Sequence, residues 1–170
     1  MQSRSKGMQS SAAKTAMSGL LVAIALIFSY IETLIPVVIP IPGAKIGLAN
    51  LVTLTGLFFL PAPQVFLILI VRIILSGFMF GSFSTIMYSL AGGIVSFCFM
   101  YMAKRIGLFS PLGVSITGAV FHNLGQLGVA CLVLYSFAPL VYLPYLILLG
   151  AATGSFIGMI GKIIEKANKR

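Results

Sequence analysis

Residues 64–80 read QVFLILIVRIILSGFMF, a single apolar run with one charge, Arg72, near its middle. A helix that crosses the hydrocarbon of a bilayer needs about 20 mainly apolar residues. Pro61-Ala-Pro63 precede this run and Gly81-Ser82 follow it, so turn-forming residues bound it on both sides. Working outward, the same reading recurs. A first span is expected over about Ala16 to Ile35, and a short second apolar run covers Ile46 to Leu60. A fourth span runs from Phe83 to Ala103 and stops at Lys104-Arg105. The fifth covers Pro111 to Phe137 and the sixth Leu140 to Gly161. Between the first two, Pro36, Pro40 and Pro42 remove backbone donors and disfavour helix, which predicts an extended loop.

Composition agrees with six spans. Of 170 residues, 59% are hydrophobic and 8% charged, with a mean hydropathy of +1.13. A soluble domain carries roughly 25% charged residues, so a soluble globular, disordered or fibrous chain is excluded. The expected fold class is an all-α integral membrane bundle of six transmembrane helices. Residues 1–15 are expected to form a cytoplasmic tail, 16–161 the membrane domain and 162–170 a basic cytoplasmic tail. No cleavable signal peptide is expected, because the first apolar run is long and lacks a persuasive cleavage site.

The charge of +9 fits this arrangement without nucleic acid. Arg4, Lys6, Lys14, Lys104, Arg105, Lys162, Lys166, Lys169 and Arg170 fall on one side of an even number of spans, and Lys45 alone falls on the other. The positive-inside rule then places both termini in the cytoplasm and the proline-rich loop outside.

Two residue types limit the chemistry. The chain has no Asp, and Glu32 and Glu165 are its acidic residues. A paired-carboxylate mechanism or an aspartate-rich magnesium site cannot be assembled from it. Cys98 and Cys131 lie in apolar runs and read as small buried hydrophobes without a disulfide. With one His, a metal site is not expected, and no cofactor is. No Gly-x-x-x-x-Gly-Lys-Ser/Thr segment is present to cradle ATP phosphates.

Polar side chains within hydrocarbon are costly and usually face a bundle interior or a cavity. Glu32 stands near the outer end of span one, Lys45 and Asn50 flank the start of span two, and Arg72 lies halfway along span three. His122, Asn123 and Gln126 form the run FHNLGQ in span five, with His122 and Gln126 four apart on one face. His122 is about a dozen residues into a span that starts inside, at or beyond mid-membrane. These seven are the candidate substrate-binding residues, expected to converge on an outward-facing pocket capped by the proline-rich loop. Lys45 and Arg72 suit an anionic group, and the amides and imidazole suit orienting hydrogen bonds. A structural reading stands beside this one: Glu32 and Arg72 as an internal ion pair, and the His-Asn-x-x-Gln group as interhelical hydrogen bonding.

Small residues form two stripes. Ala12, Ala16, Gly19 and Ala23 run along the cytoplasmic part of span one, and Gly150, Gly154 and Gly158 make GxxxGxxxG in span six. Such stripes let backbones approach closely, within the chain or against a partner. For span one a partner surface is favoured, and for span six intramolecular packing.

The segment IPGAKIGLANLVTL (41–54) is similar to the signature after the first span of the Gx transporter family, also labelled heptaprenyl diphosphate synthase component I. Arg72 ahead of Phe80-Gly81, SLAGG (89–93) and FHNLGQL (121–127) extend the resemblance over about residues 15–161. That family in turn resembles the S components of energy-coupling factor (ECF) transporters. The resemblance implies a six-helix, multi-pass protein of a bacterial cell membrane that binds a small-molecule substrate, such as a vitamin or cofactor precursor. It implies docking, through small residues of the first helix, on a coupling protein driven by two ATPases. It also implies a substrate capped by the loop 36–46. The expected function is therefore a substrate-binding subunit and not an enzyme. The alternative is a non-catalytic membrane accessory of heptaprenyl diphosphate or menaquinone synthesis, or of a flavin- or quinone-linked redox system. A small channel is a third reading, weakened by the lack of charged rings along the spans.

Overall fold

A computed structural model of the chain describes residues 11–34 and 47–168. Lys45 and the proline-rich stretch 36–46 lie outside the described residues, as does the side chain of Ala12. Within them the secondary structure is helical: α1 (Ser11–Leu34), α2 (Asn50–Phe59), α3 (Ala62–Phe80), α4 (Phe83–Ile106), α5 (Pro111–Val133) and α6 (Leu143–Asn168). A 3-10 turn over Ala138–Tyr142 joins the last two. The expected tail boundaries at 15 and 161 mark where apolar sequence ends. Helix continues past both, since nothing around Lys14 or Lys162 breaks it.

The helix ends follow local chemistry. Pro61 caps α3 and Pro63 sits in its first turn, while Pro111 opens α5, positions whose missing N–H costs nothing. The Ser82 hydroxyl accepts from Thr85 N at 3.3 Å to start α4. The fifth span ends at Val133, short of the expected Phe137, and the chain crosses to α6 through the Pro139 turn.

Five helices among the described residues are long and apolar enough to cross a membrane. The second apolar run is not one of them. Its helix has 10 residues, or about 15 Å at 1.5 Å per residue, half of a hydrocarbon core of about 30 Å. The late start has a backbone cause: Gly47 adopts φ +88°, a left-handed turn that a side chain would strain, and helix begins only after it. Of the six expected spans, five are long helices among the described residues, and the short second run is a helix of 10 residues.

That half helix is the centre of the bundle. It touches α1, α3, α4, α5 and α6, and Leu51, Val52, Thr53, Leu54, Gly56 and Leu57 are buried. A helix apolar on all sides belongs inside. Its C-terminal end is met by Lys104 of α4, whose Nζ donates to Leu57 O and lies over the Phe58 ring. A cation there complements the carbonyl end of the helix dipole. Lys104→Met, which keeps the apolar stem, is expected to cost about 1–2 kcal/mol and lower the thermal midpoint in detergent. Arg105→Met, whose guanidinium stays exposed on Tyr101, is expected to shift it far less.

The two most extensive interfaces are α4–α5 and α5–α6, and both are made by glycine. A Cβ on Gly125 would stand 2.8 Å from Ala91 O, and one on Gly154 2.7 Å from Ile116 Cα. Gly158 meets Leu112 in the same way. The span-six stripe therefore packs within the chain. The span-one stripe does not: Ala16, Gly19 and Ala23 are exposed, and no atom lies within 4 Å of a Cβ built on Gly19.

The outer surface is apolar, with Phe78, Leu132, Val141 and Leu148 exposed, while Ser29, Glu32, Arg72, Asn123 and Gln126 are buried. Apolar outside and polar within suits a lipid solvent. Cys98 corrects the sequence expectation: it is exposed on the bundle surface, and Cys131 is half-buried. An apolar run does not say which side of its helix faces lipid.

Candidate functional site

The antiparallel pair α2–α3 brings two polar residues to one level. Asn50 begins α2 and Arg72 lies midway along α3, so at 1.5 Å per residue both stand about 15 Å from the turn at Leu60-Pro61. They meet: Arg72 donates through a terminal guanidinium N–H to Asn50 Oδ1 at 3.0 Å. Arg72 is 7% exposed, and its Nε has no hydrogen-bond partner among the described residues.

Above this pair, the last turn of α1 supplies Glu32. Its carboxylate accepts from Leu48 N in the turn leading into α2 and acts electrostatically on Arg72. A carboxylate at a helix N-terminus is favoured by the N–H groups gathered there. The amides of Asn50 and Leu51 fold back within the turn, Asn50 N to Gly47 O at 2.8 Å and Leu51 N to Leu48 O at 3.0 Å. The central helix thus carries a carboxylate at its head and an ammonium at its tail.

From the opposite side α5 brings His122 against Gly92 of α4, where a Cβ would lie 3.0 Å from His122 Cε1. The Nδ1 of His122 is buried without a hydrogen-bond partner among the described residues. Glu32, Asn50, Arg72 and His122 line one cavity, together with Ser29, Ser76 and Ser89. Its free volume is about 20 Å³, room for roughly one water molecule.

Of the seven sequence candidates, four therefore come together. Lys45 lies outside the described residues. Asn123 turns away and donates to Leu146 O at 2.9 Å, tying α5 to α6. Gln126 is buried under Gly92, its Cγ 2.9 Å from a Cβ placed there, at the α4–α5 contact. The three serines are not among the sequence candidates, although helical spacing signals two of them. Ser29 is three residues before Glu32 and Ser76 four after Arg72, each on the face of its charged neighbour. Ser89 carries no such signal. Among the described residues, no group of three or more His, Cys, Asp or Glu side chains is placed to hold a metal ion.

Chemically, the cavity is lined by a guanidinium, an imidazole, an amide, one carboxylate and three hydroxyls. Such a constellation can bind and orient a small polar group out of water. No curated protein and no solved structure matches the chain. The family model described as heptaprenyl diphosphate synthase component I matches residues 21–164, which takes in α2 to α5 and most of α1 and α6, with every residue of the cavity. The chain belongs to the heptaprenyl diphosphate synthase component I family.

Proposed function

We propose that this protein is a non-catalytic, solute-binding membrane subunit similar to the S components of ECF transporters, with both termini cytoplasmic. The observation that supports this most is the convergence of Glu32, Asn50, Arg72 and His122, from four helices, on one buried cavity. Two of these residues keep a buried nitrogen without a hydrogen-bond partner among the described residues. A purely structural polar cluster is expected to satisfy its own groups, because a buried unsatisfied donor costs about 1–3 kcal/mol.

The cargo would be a small organic solute such as a vitamin or cofactor precursor. The cavity of about 20 Å³ holds no such molecule as it stands, so loading involves a change of shape. α1 is the least tightly held helix of the cavity: its contacts with α2 and α3 are much less extensive than those among α4, α5 and α6. Energy comes from a coupling protein and ATPases docked on the smooth α1 face of Ala16, Gly19 and Ala23. Ala16→Trp is expected to abolish co-purification of that partner and solute uptake, and to leave solute binding unchanged. Uptake that survives the substitution rejects the docking face.

The family description favours a second reading, a membrane accessory of heptaprenyl diphosphate synthesis. Catalysis would then belong to another polypeptide, since this chain has no Asp to hold magnesium diphosphate. Affinity purification in mild detergent from the native host, with mass spectrometry of bound proteins, separates the two. A coupling protein with two ATPases supports the solute-binding subunit, and a prenyl synthase supports the accessory.

A further inference from the structure

We propose that Glu32 is an exchangeable internal anion, holding the place at the head of α2 and beside Arg72 that an oxyanion group of the bound solute, carboxylate or phosphate, takes over. The inference rests on the solute-binding reading and specifies its ligand class.

A half-length helix ends its N-terminus inside the bundle, where its partial positive charge is poorly screened. Arg72 adds a full positive charge at the same level, being 7% exposed and joined to Asn50, the first residue of α2. The Nε of this guanidinium has no partner among the described residues and belongs to a side chain that lines the cavity. Two independent features, a helix head and a buried guanidinium, thus favour negative charge in the same cavity. Glu32 supplies it through its carboxylate on Leu48 N.

Charge then decides what a ligand must do. A second anion beside Glu32 would meet a like charge in a poorly screened setting, so an incoming oxyanion takes its place. The exchange keeps one anion against Arg72 and the head of α2 throughout, so neither positive group is left uncompensated away from water. A neutral or cationic solute offers no such exchange: displacing Glu32 would strand Arg72. Glu32 is the acidic side chain among those lining the cavity, so it is the group whose place an incoming anion takes.

The test is chemical rescue of the full chain in detergent. Glu32→Ala removes the internal anion and opens its space, and is expected to lower the thermal midpoint. Acetate or inorganic phosphate, added at constant ionic strength against chloride, is expected to restore it. Acetamide, of the same shape and no charge, is not. Wild type, whose own carboxylate competes, is expected to need at least about ten-fold more acetate for the same shift. The double variant Glu32→Ala/Arg72→Gln is expected to show no rescue. Should Glu32→Ala not fold, Glu32→Ser, which opens nearly the same space, is assayed in the same series. Equal rescue by acetamide, or none by either anion, overturns the proposal. The solute-binding reading fails separately. Anion rescue in a protein that carries no solute would reject that reading and keep the anion site. A neutral solute bound through Arg72, without rescue, would do the reverse.

Discussion

Arg72→Ala is expected to reduce solute binding at least about 100-fold, equivalent to roughly 2.7 kcal/mol, in a protein that still elutes as one species in detergent. The comparison is the amount of small molecule released on denaturing wild type and variant, each purified from the native host. The magnitude follows from burial. Truncating one partner of a desolvated, hydrogen-bonded charge costs about 2–5 kcal/mol, because the groups facing it lose their complement. Arg72 is hydrogen-bonded to Asn50 and lines, with Glu32, a cavity that holds about one water. His122→Ala, which removes the imidazole from the opposite wall, is expected to impair binding in the same assay. Unchanged solute content in both variants would reject the cavity as a binding site and return Glu32 and Arg72 to a structural role.

The second large effect concerns the scaffold. Gly125→Val and Gly154→Val are each expected to destabilise by about 1–3 kcal/mol, with aggregation in detergent at the upper end. At both positions a Cβ meets backbone, Ala91 O at 2.8 Å and Ile116 Cα at 2.7 Å, so no side-chain rotation relieves the clash. Gly19→Ala and Gly128→Ala are the controls, since nothing lies within 4 Å of a Cβ at either site. They are expected to be neutral or stabilising by up to about 1 kcal/mol, the helix-propensity gain of Ala over Gly. Gly125→Val should also disturb the site, because the α4–α5 contact it breaks is the one that presses His122 against Gly92. Thermal unfolding of the four variants, read beside solute content, separates scaffold from site.

Much of the site is legible in the sequence. A polar residue deep in an apolar run has few tolerable destinations, which singles out Glu32, Asn50, Arg72 and His122 one by one. The meeting of Asn50 with Arg72 is implicit in the hairpin, because residues equally far from a tight turn stand level across it. Asn123 shows the limit. It is adjacent to His122 in sequence, yet a helix turns about 100° per residue, and that rotation sends its amide to Leu146 O instead of the cavity. Lys104 shows another limit. Charge counting treats it as a loop cation, and only the fold reveals that it reaches Leu57 O at the end of a buried helix.

Hydropathy along the chain already sets the solvent and the class of fold. Transfer free energy adds along a run regardless of which way each side chain points, so long apolar stretches mean membrane helices whatever their packing. The composition also shows that this chain has no aspartate to offer a metal. Tertiary structure decided everything that depends on rotation and depth: which small-residue stripe is covered, which face of α5 enters the cavity, and that the second apolar run is a half helix. Helices apolar on every side carry no phase in their sequence. Their orientation is set by where glycines let backbones touch and by where buried charges find complements.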